Sequence, residues 1–565
     1  MRRMTYAGLS VIVLVSTLLA ASTWHIYSHT WDEPEHLAAG IELLDRGQYE
    51  YDTEHPPLAR LLIALGPYLA GARSYATPPP DGVIEGTDIL YGSGHYQLYL
   101  TLARSGTLPF LALLLTAAWL WARRIFESDA HALLAVGLLA SVPPILGHAA
   151  LATLDVPAAA TTLLALYMVQ RWLINGALRD AILLGLSAGI AIGTKFSAVP
   201  FVGLGALGLV AVRAGLQNRA ADANPPGMIS DPSKTDQANT RLLGFALGVA
   251  ALSAPIIVAY GFRSVEIEAL PRQFDWMLGY FLHGHARAHD PVWTMTRALR
   301  LPGTLWDLVE GVVRLKAHND SGHFSFLLGQ EQSGGWWYFY LVALAAKSPL
   351  PLITMGPLGL ALMQRDGWRA RNSWRVAPGV VFVTILVFAS AYSHINIGVR
   401  HVLVLYPFLA LGSAWAFVRG WRSLAGSDSH WACGGKVLLS ALAVWQVGSL
   451  CTVYPDYLPY FNELIPHPEQ VLVDSDLDWG QDLRRLEQRL TELNIHKLNL
   501  AYLGTADLAR EALPQVVVLH PMQVATGWVA VTALAREHSP GGYAWLDGFR
   551  PVQRIGKTID LYYIP

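Results

Sequence analysis

Cysteine is nearly absent. The chain has two in 565 residues, Cys433 and Cys451, near opposite ends of one apolar segment. At helical rise they stand roughly 27 Å apart, too far to bridge within the chain, and no Cys-x-x-Cys metal pattern exists. Charge is also scarce. Asp, Glu, Lys and Arg make up 15% of the residues and the formal net charge is −2; the basic residues are scattered at segment ends rather than gathered on one face, which excludes a nucleic-acid partner. There is no internal repeat, no low-complexity tract and no Gly-rich dinucleotide motif at a strand-to-helix junction.

What is abundant is apolar surface. With 53% hydrophobic residues and a mean hydropathy of +0.33, the chain is expected to be an integral membrane protein with a small soluble part. Met1-Arg2-Arg3 and the apolar run from Ala7 to Ala21 have the form of a secretory signal. Retention as a first helix is expected instead, because the acidic cluster close behind it needs that helix as an anchor. Further spans are expected near 98–121, 131–149, 156–172, 242–261, 337–363, 377–393, 402–418 and 433–452. The stretch 181–212, interrupted by Gly193, Lys195 and Pro200, is one overlong helix or two short ones.

Two helices there give about eleven spans and place Arg123, Arg124, Arg171, Arg179, the Arg365 to Arg375 cluster, Arg419 and Arg422 on the same side as Arg2 and Arg3. That is the cytoplasmic side by the positive-inside rule. The expected organisation is a transmembrane domain over 1–452, with outer loops 25–97 and 262–336 and a flexible cytoplasmic loop over 214–240. An extracytoplasmic domain over 453–565 follows. In the latter, Gln470–Val473 reads as a strand, Gly480–Leu493 as an amphipathic helix and Lys497–Tyr502 as a strand, so a small α/β domain is expected.

Titratable residues collect where the apolar segments meet the outer side. Asp32 and Glu33 follow the first span, then come Glu54, His55 and Arg60, then His148 and Asp155, then Lys195, then Arg400 and His401. Such groups are costly beside lipid and default to function. Asp155 can also cap the next helix, Lys195 can snorkel or line a cavity at a helix break, and Arg400 on the outer side points to an anion, since a guanidinium holds phosphate in a fork. Three further patterns carry less. His283, His285 and His289 with Asp290 fit no zinc spacing closely. Asp474, Asp476 and Asp478 imitate a calcium loop but lack its Gly and Glu, so strand-to-helix capping is preferred. The run Trp336-Trp337-Tyr338-Phe339-Tyr340 reads mainly as an interfacial belt.

Several pieces occur in one order: Asp32-Glu33, His55-Pro56-Pro57-Leu58, His148 to Asp155, Lys195, Lys347-Ser348-Pro349, Arg400-His401, Tyr454-Pro455, Phe461-Asn462-Glu463 and Asp474-Ser475-Asp476-Leu477-Asp478-Trp479-Gly480-Gln481-Asp482-Leu483. In these the chain resembles the protein O-mannosyltransferase and aminoarabinose transferase superfamily, in a bacterial branch; Asp476 stands where that branch's pattern is expected to carry Asn.

The resemblance implies an α-helical polytopic protein of C-type glycosyltransferase fold in the plasma (inner) membrane. It would move a sugar from a polyprenyl phosphate to a hydroxyl acceptor on protein, lipid or glycan, on the outer face. The residues themselves suggest Glu33 or Asp155 as the catalytic group that orients sugar or acceptor, and Arg60 and His401 beside the donor; the resemblance casts Asp32 as base, sets His55 where relatives carry His or Lys before Pro-Pro, and sets Lys195 and Arg400 near the lipid phosphate. It requires no cofactor, and sets Glu54 where the aminoarabinose branch carries an acid that helps bind a metal, which leaves room for a divalent ion. The rival readings are a transporter or flippase of lipid-linked sugars and a non-catalytic membrane scaffold.

Overall fold

The computed structural model describes residues 2–223, 233–261, 267–269, 275–281, 291–426 and 429–565. The apolar runs become helices. In chain order these are α1 (Arg2–Ala21), α2 (Glu33–Arg46), α3 (Leu58–Leu69), α4 (Gly82–Gly92), α5 (Tyr96–Ser105), α6 (Leu108–Phe126), α7 (Asp129–Ala140), α8 (Pro143–Ala149), α9 (Asp155–Asn175), α10 (Leu178–Thr194), α11 (Ala198–Ala223) and α12 (Ser233–Ala259). The hairpin β1 (Ile267–Ala269) with β2 (Arg300–Pro302) encloses α13 (Asp275–Phe281) and α14 (Pro291–Ala298), and α15 (Gly303–Ser321) leads to the hairpin β3 (Ser325–Leu327) with β4 (Gln330–Gln332). Then come α16 (Phe339–Lys347), α17 (Leu350–Arg369), α18 (Ser373–Tyr392), α19 (Tyr406–Ala425) and α20 (His430–Val453). Among the described residues seven helices are long and apolar enough to cross a membrane, or eight if the bent pair α7 and α8 is one span. The chain is a multi-pass membrane protein.

The helix breaks follow proline and small-residue chemistry. The stretch 181–212 forms two helices, with Lys195 in an extended conformation at the end of α10. The run 131–149 is not one straight helix. Pro143 and Pro144 supply no backbone donor, and α7 and α8 meet at 68°. Pro349 divides 337–363 in the same way, and Gly106-Thr107 separates α5 from α6 within 98–121. The loop expected over 214–240 is shorter than its polarity suggests. Its flanks carry good helix formers, so α11 runs to Ala223 and α12 starts at Ser233, while 224–232 lie outside the described residues. Between α17 and α19 the backbones nearly touch: a Cβ on Gly359 would strike the Gly412 carbonyl, the small-residue approach that membrane helix packing favours.

The basic ends gather at one end of the bundle. Arg375 Nε donates to the Ile125 carbonyl (3.3 Å), Arg419 pairs with Asp366, and Trp368 packs beside Val212, Leu216 and Val376. At the opposite end lie α2 to α5, the start of α9, the end of α10 and the kinked 3₁₀ segment Val399–Leu405 that leads into α19.

Beyond α20 the chain builds a five-stranded sheet. Its strands are β5 (Lys497–Ala501), β6 (Gln515–Val518), β7 (Gly527–Thr532), β8 (Gln553–Ile555) and β9 (Ile559–Ile564), in the order β6-β5-β7-β9-β8. β5 runs parallel to both neighbours, and β9 is antiparallel to β7 and β8. Helix α21 (Leu483–Glu492) covers it, with Leu483, Leu486 and Leu490 packed on Leu498, Leu500 and Leu561. A short α22 (Ala533–Glu537) follows β7. The helix over 480–493 and the strand over 497–502 are thus present with trimmed ends. The strand over Gln470–Val473 is not: Pro468–Gln470 is a 3₁₀ turn, and Leu472 and Val473 are apolar because they pack in loops, Val473 against Phe326 and Leu534.

Candidate active site

Asp32 stands at the N-cap position of α2, yet its side chain accepts no capping bond. The carboxylate is turned away from the helix and takes Arg400 Nη1 at 2.5 Å. Asp155, the first residue of α9, likewise caps nothing. It accepts from Lys195 Nζ at 2.7 Å, and its other oxygen lies 3.7 Å from Arg400 Nη1. Two carboxylates and two cations therefore form one chain: Lys195, Asp155, Arg400, Asp32. Asp155 Oδ2, Arg400 Nε and His401 Nε2 are buried without a hydrogen-bond partner among the described residues.

This chain lines a cavity of about 900 Å³ that also takes in Glu54, His55 and His401. The expected residues Asp32, Asp155, Lys195, Arg400, His401, His55 and Glu54 are thus brought together from five separate parts of the sequence. A narrower recess between Asp155, Lys195, Arg400, Thr162, Phe201 and Leu403 continues it between α9, α11 and the segment Val399–Leu405.

Two expected residues do not reach the cavity. Glu33 is 1% exposed. It receives Arg104 Nε and Nη2, both at 2.8 Å, and the amides of Thr30 and Ala152 at 2.8 Å each, so its lone pairs are committed to holding the loop 28–33 against α5 and the turn between α8 and α9. Arg60 is fully buried. It pairs with Asp52, donates to Tyr49 Oη and the Asp52 carbonyl (2.7 Å each) and contacts His36 Nδ1, so it staples the 49–55 loop to α3 instead of facing a ligand. His148 is buried too, beside Trp479 rather than in the cavity.

Several groups enter that sequence reasoning did not single out. Asp52 binds His55 Nδ1 at 2.9 Å; burial opposes its ionisation, but Arg60 and His55 hold its carboxyl well below the usual range. The spacing from Asp52 to His55 was a readable signal. Glu35 lines the cavity one turn beyond Asp32. Burial and the Asp52 carboxylate, against the pull of Arg60 and with help from Asp32 and Glu54, push it up to about 8. Glu54 accepts from His318 Nδ1 at 3.0 Å. Among the described residues no three His, Cys, Asp or Glu side chains converge in a metal-holding arrangement; Glu54 and His318 form a pair at the cavity wall. His283, His285, His289 and Asp290 lie outside the described residues. The aromatic run is divided: Trp337 is exposed, while Tyr340 is buried, donates to the Ile395 carbonyl at 3.0 Å and touches the cavity.

The later motifs converge on the helix break at Lys347. Its ammonium, fully buried, donates to the carbonyls of Leu458 (2.9 Å) and Asp476 and sits 4.3 Å from the Phe461 ring centre. Asn462 Nδ2 donates to the Ser348 carbonyl at 2.9 Å, satisfying backbone that Pro349 leaves exposed at the break.

Residues 103–221 match the profile of the dolichyl-phosphate-mannose-protein mannosyltransferase family. Over that segment the chain is similar to the mannosyltransferase part of the resemblance. The matched segment holds Asp155 and Lys195; Asp32 and Arg400 lie outside it. No curated protein matches the sequence. Among solved structures, ArnT from Cupriavidus metallidurans bound to undecaprenyl phosphate is 14% identical, with a TM-score of 0.46 over 98% of this chain and 97% of that one. The apo oligosaccharyltransferase of Archaeoglobus fulgidus is 12% identical, with a TM-score of 0.46 over 87% of this chain; the match spans 58% of that protein's length. The Pmt1-Pmt2 O-mannosyltransferase complex of S. cerevisiae, bound to its sugar donor, is 14% identical over 46% of this chain and 33% of that one, with a TM-score of 0.33.

Proposed function

We propose that the chain is a membrane glycosyltransferase of C-type fold that moves a sugar from a polyprenyl phosphate to a hydroxyl acceptor, with the cavity on the extracytoplasmic side of the plasma membrane. The observation that carries this reading is the alternation of Lys195, Asp155, Arg400 and Asp32 along one cavity wall at the end of the bundle away from the basic helix ends. Positive-inside statistics support the outer position for the cavity.

Arg400 is shared. A donor phosphate that takes its guanidinium in a fork releases the Asp32 carboxylate. Asp32 accepts the proton of the acceptor hydroxyl; the acceptor oxygen forms the new bond to the anomeric carbon, the carbon–oxygen bond to phosphate breaks, and its electron pair leaves on the phosphate, where Lys195 and Arg400 stabilise the charge. Attack opposite the phosphate inverts the anomeric centre. Asp155 keeps both cations aimed, and His55 and His401 lie along the wall. No step is routed through a metal.

Lys195→Gln tests the donor part alone. Removing one charge-assisted contact to phosphate, worth about 1.5–3 kcal/mol, should weaken undecaprenyl phosphate binding to purified protein in nanodiscs by roughly 10- to 100-fold; unchanged affinity would remove Lys195 from the phosphate site. Glu35 sets an expected pH response. Neutral below about 8, it becomes anionic as pH rises through that value and adds a negative charge to the cavity that receives the phosphate. Donor affinity should therefore fall several-fold between pH 7 and 9 in the wild type and stay level in Glu35→Gln, and parallel profiles would show that Glu35 does not face the donor.

A further inference from the structure

The segment Asp474–Gln481 touches both halves of the site. Toward the Arg400 half, the Asp476 carboxylate accepts the Val399 amide at 3.1 and 3.2 Å from its two oxygens. Ser475 Oγ donates to the Ile397 carbonyl, and the Trp479 ring lies 4.3 Å beneath the Arg400 guanidinium carbon. Gly398, at φ 151°, leaves no room for a side chain against Ser475. Toward the Asp32 half, the Trp479 carbonyl accepts the Trp31 amide at 3.1 Å and the Gln481 carbonyl accepts the Ser28 amide at 3.0 Å.

The same segment is anchored on its far side. Asp478 accepts the Leu534 amide at 2.8 Å, and Asp482 accepts the Lys557 amide and the Thr558 hydroxyl at 3.1 and 3.0 Å. Lys347 holds the Asp476 carbonyl from below. The alternating aspartates thus neither gather round a cation nor cap α21. Asp476 and Asp478 are tie points to different elements, while Asp474 accepts the adjacent Ser475 amide, which corrects the capping expectation.

We propose that Asp474–Gln481 is a clasp contributed by the chain beyond α20. It sets the spacing between the Asp32 and Arg400 segments, with Trp479 and Asp476 as positioning residues for the Arg400 guanidinium. The flat ring restricts the guanidinium to one plane while leaving its edge free for Asp32 and an incoming anion. The amide tie at Val399 fixes the backbone one residue before Arg400. The sheet region therefore completes the site from above rather than merely covering it.

The activity side of this inference rests on the polyprenyl phosphate reading; the geometric side does not, and the experiment separates them. Undecaprenyl phosphate binding is measured in nanodiscs for wild type, Trp479→Leu, Trp479→Phe, Arg400→Gln and the double variant Trp479→Leu/Arg400→Gln. Trp479→Leu should weaken binding ~10-fold, Trp479→Phe should restore most of it, and Trp479→Leu should add nothing once Arg400 is Gln. Additive losses, or a Phe variant as weak as Leu, would overturn the positioning role. Amide hydrogen exchange of wild type and Asp476→Ala, without ligand, reads the clasp independently. Faster exchange confined to 396–402 supports it; unchanged exchange there, or acceleration throughout the bundle, overturns it. Absence of wild-type binding alongside confined exchange would count against the donor reading and leave the clasp standing.

Discussion

Asp32→Asn should lower the turnover of purified protein by about 10²- to 10⁴-fold, the range a positioned general base supplies, while leaving donor binding near wild type. The expectation comes from geometry. Asp32 occupies a helix N-cap position but spends no carboxylate oxygen on the helix, so its carboxylate is available to the cavity, and its strong partner among the described residues is the cation that a phosphate would claim. Asparagine keeps the shape and loses the proton acceptor. The measurement is single-turnover release of polyprenyl phosphate beside a direct binding isotherm. A fall in binding with no change in the chemical step would mean that Asp32 serves only to hold Arg400.

The second large effect concerns stability. Glu33→Gln leaves Arg104, fully buried, facing a neutral amide where a carboxylate accepted two bonds at 2.8 Å. Breaking one side of a buried pair costs about 3–5 kcal/mol, a large share of the margin of a folded protein, so the thermal unfolding midpoint in detergent should drop sharply and yield should fall with it. Replacing both residues together, Glu33→Met with Arg104→Met, removes the stranded charge and should recover much of the loss. A Glu33→Gln protein as stable as wild type and impaired only in turnover would return Glu33 to the orienting role expected from the sequence.

The contrast between these neighbours shows what the sequence could carry. Both acids were visible as costly groups beside lipid, and Asp32, Asp155, Lys195 and Arg400 were legible for that reason: each sits at the end of an apolar segment, and ends on one side of a bundle meet. What separates Asp32 from Glu33 is about 100° of rotation at the first turn of α2. That rotation is set by Arg104 from another helix and by the Ala152 amide, partners with no local signature. Arg60 failed the same way, since its tie to Asp52 and Tyr49 depends on a loop folding back.

The broken helices were partly legible. Lys195 marks its break because an ammonium cannot stay in an apolar span without a partner, whereas the Pro143-Pro144 and Pro349 breaks were hidden by hydropathy, which counts proline's neighbours and not its missing donor. In the C-terminal part, amphipathic α21 showed its period and Gln470–Val473 misled, because loop residues buried under a sheet are as apolar as a strand.

The most direct test of the central claim is release of free polyprenyl phosphate from a panel of polyprenyl-phosphate sugars by purified protein in nanodiscs. A crude envelope extract supplies the acceptor, and Asp32→Asn and Arg400→Gln are run in parallel. The expected result is release with at least one donor that needs both the extract and Asp32, and that falls in Arg400→Gln together with donor affinity. Donor binding that depends on Arg400, with no release from any donor in an extract shown to contain a usable acceptor, would contradict it and favour a protein that carries lipid-linked sugars without transferring them.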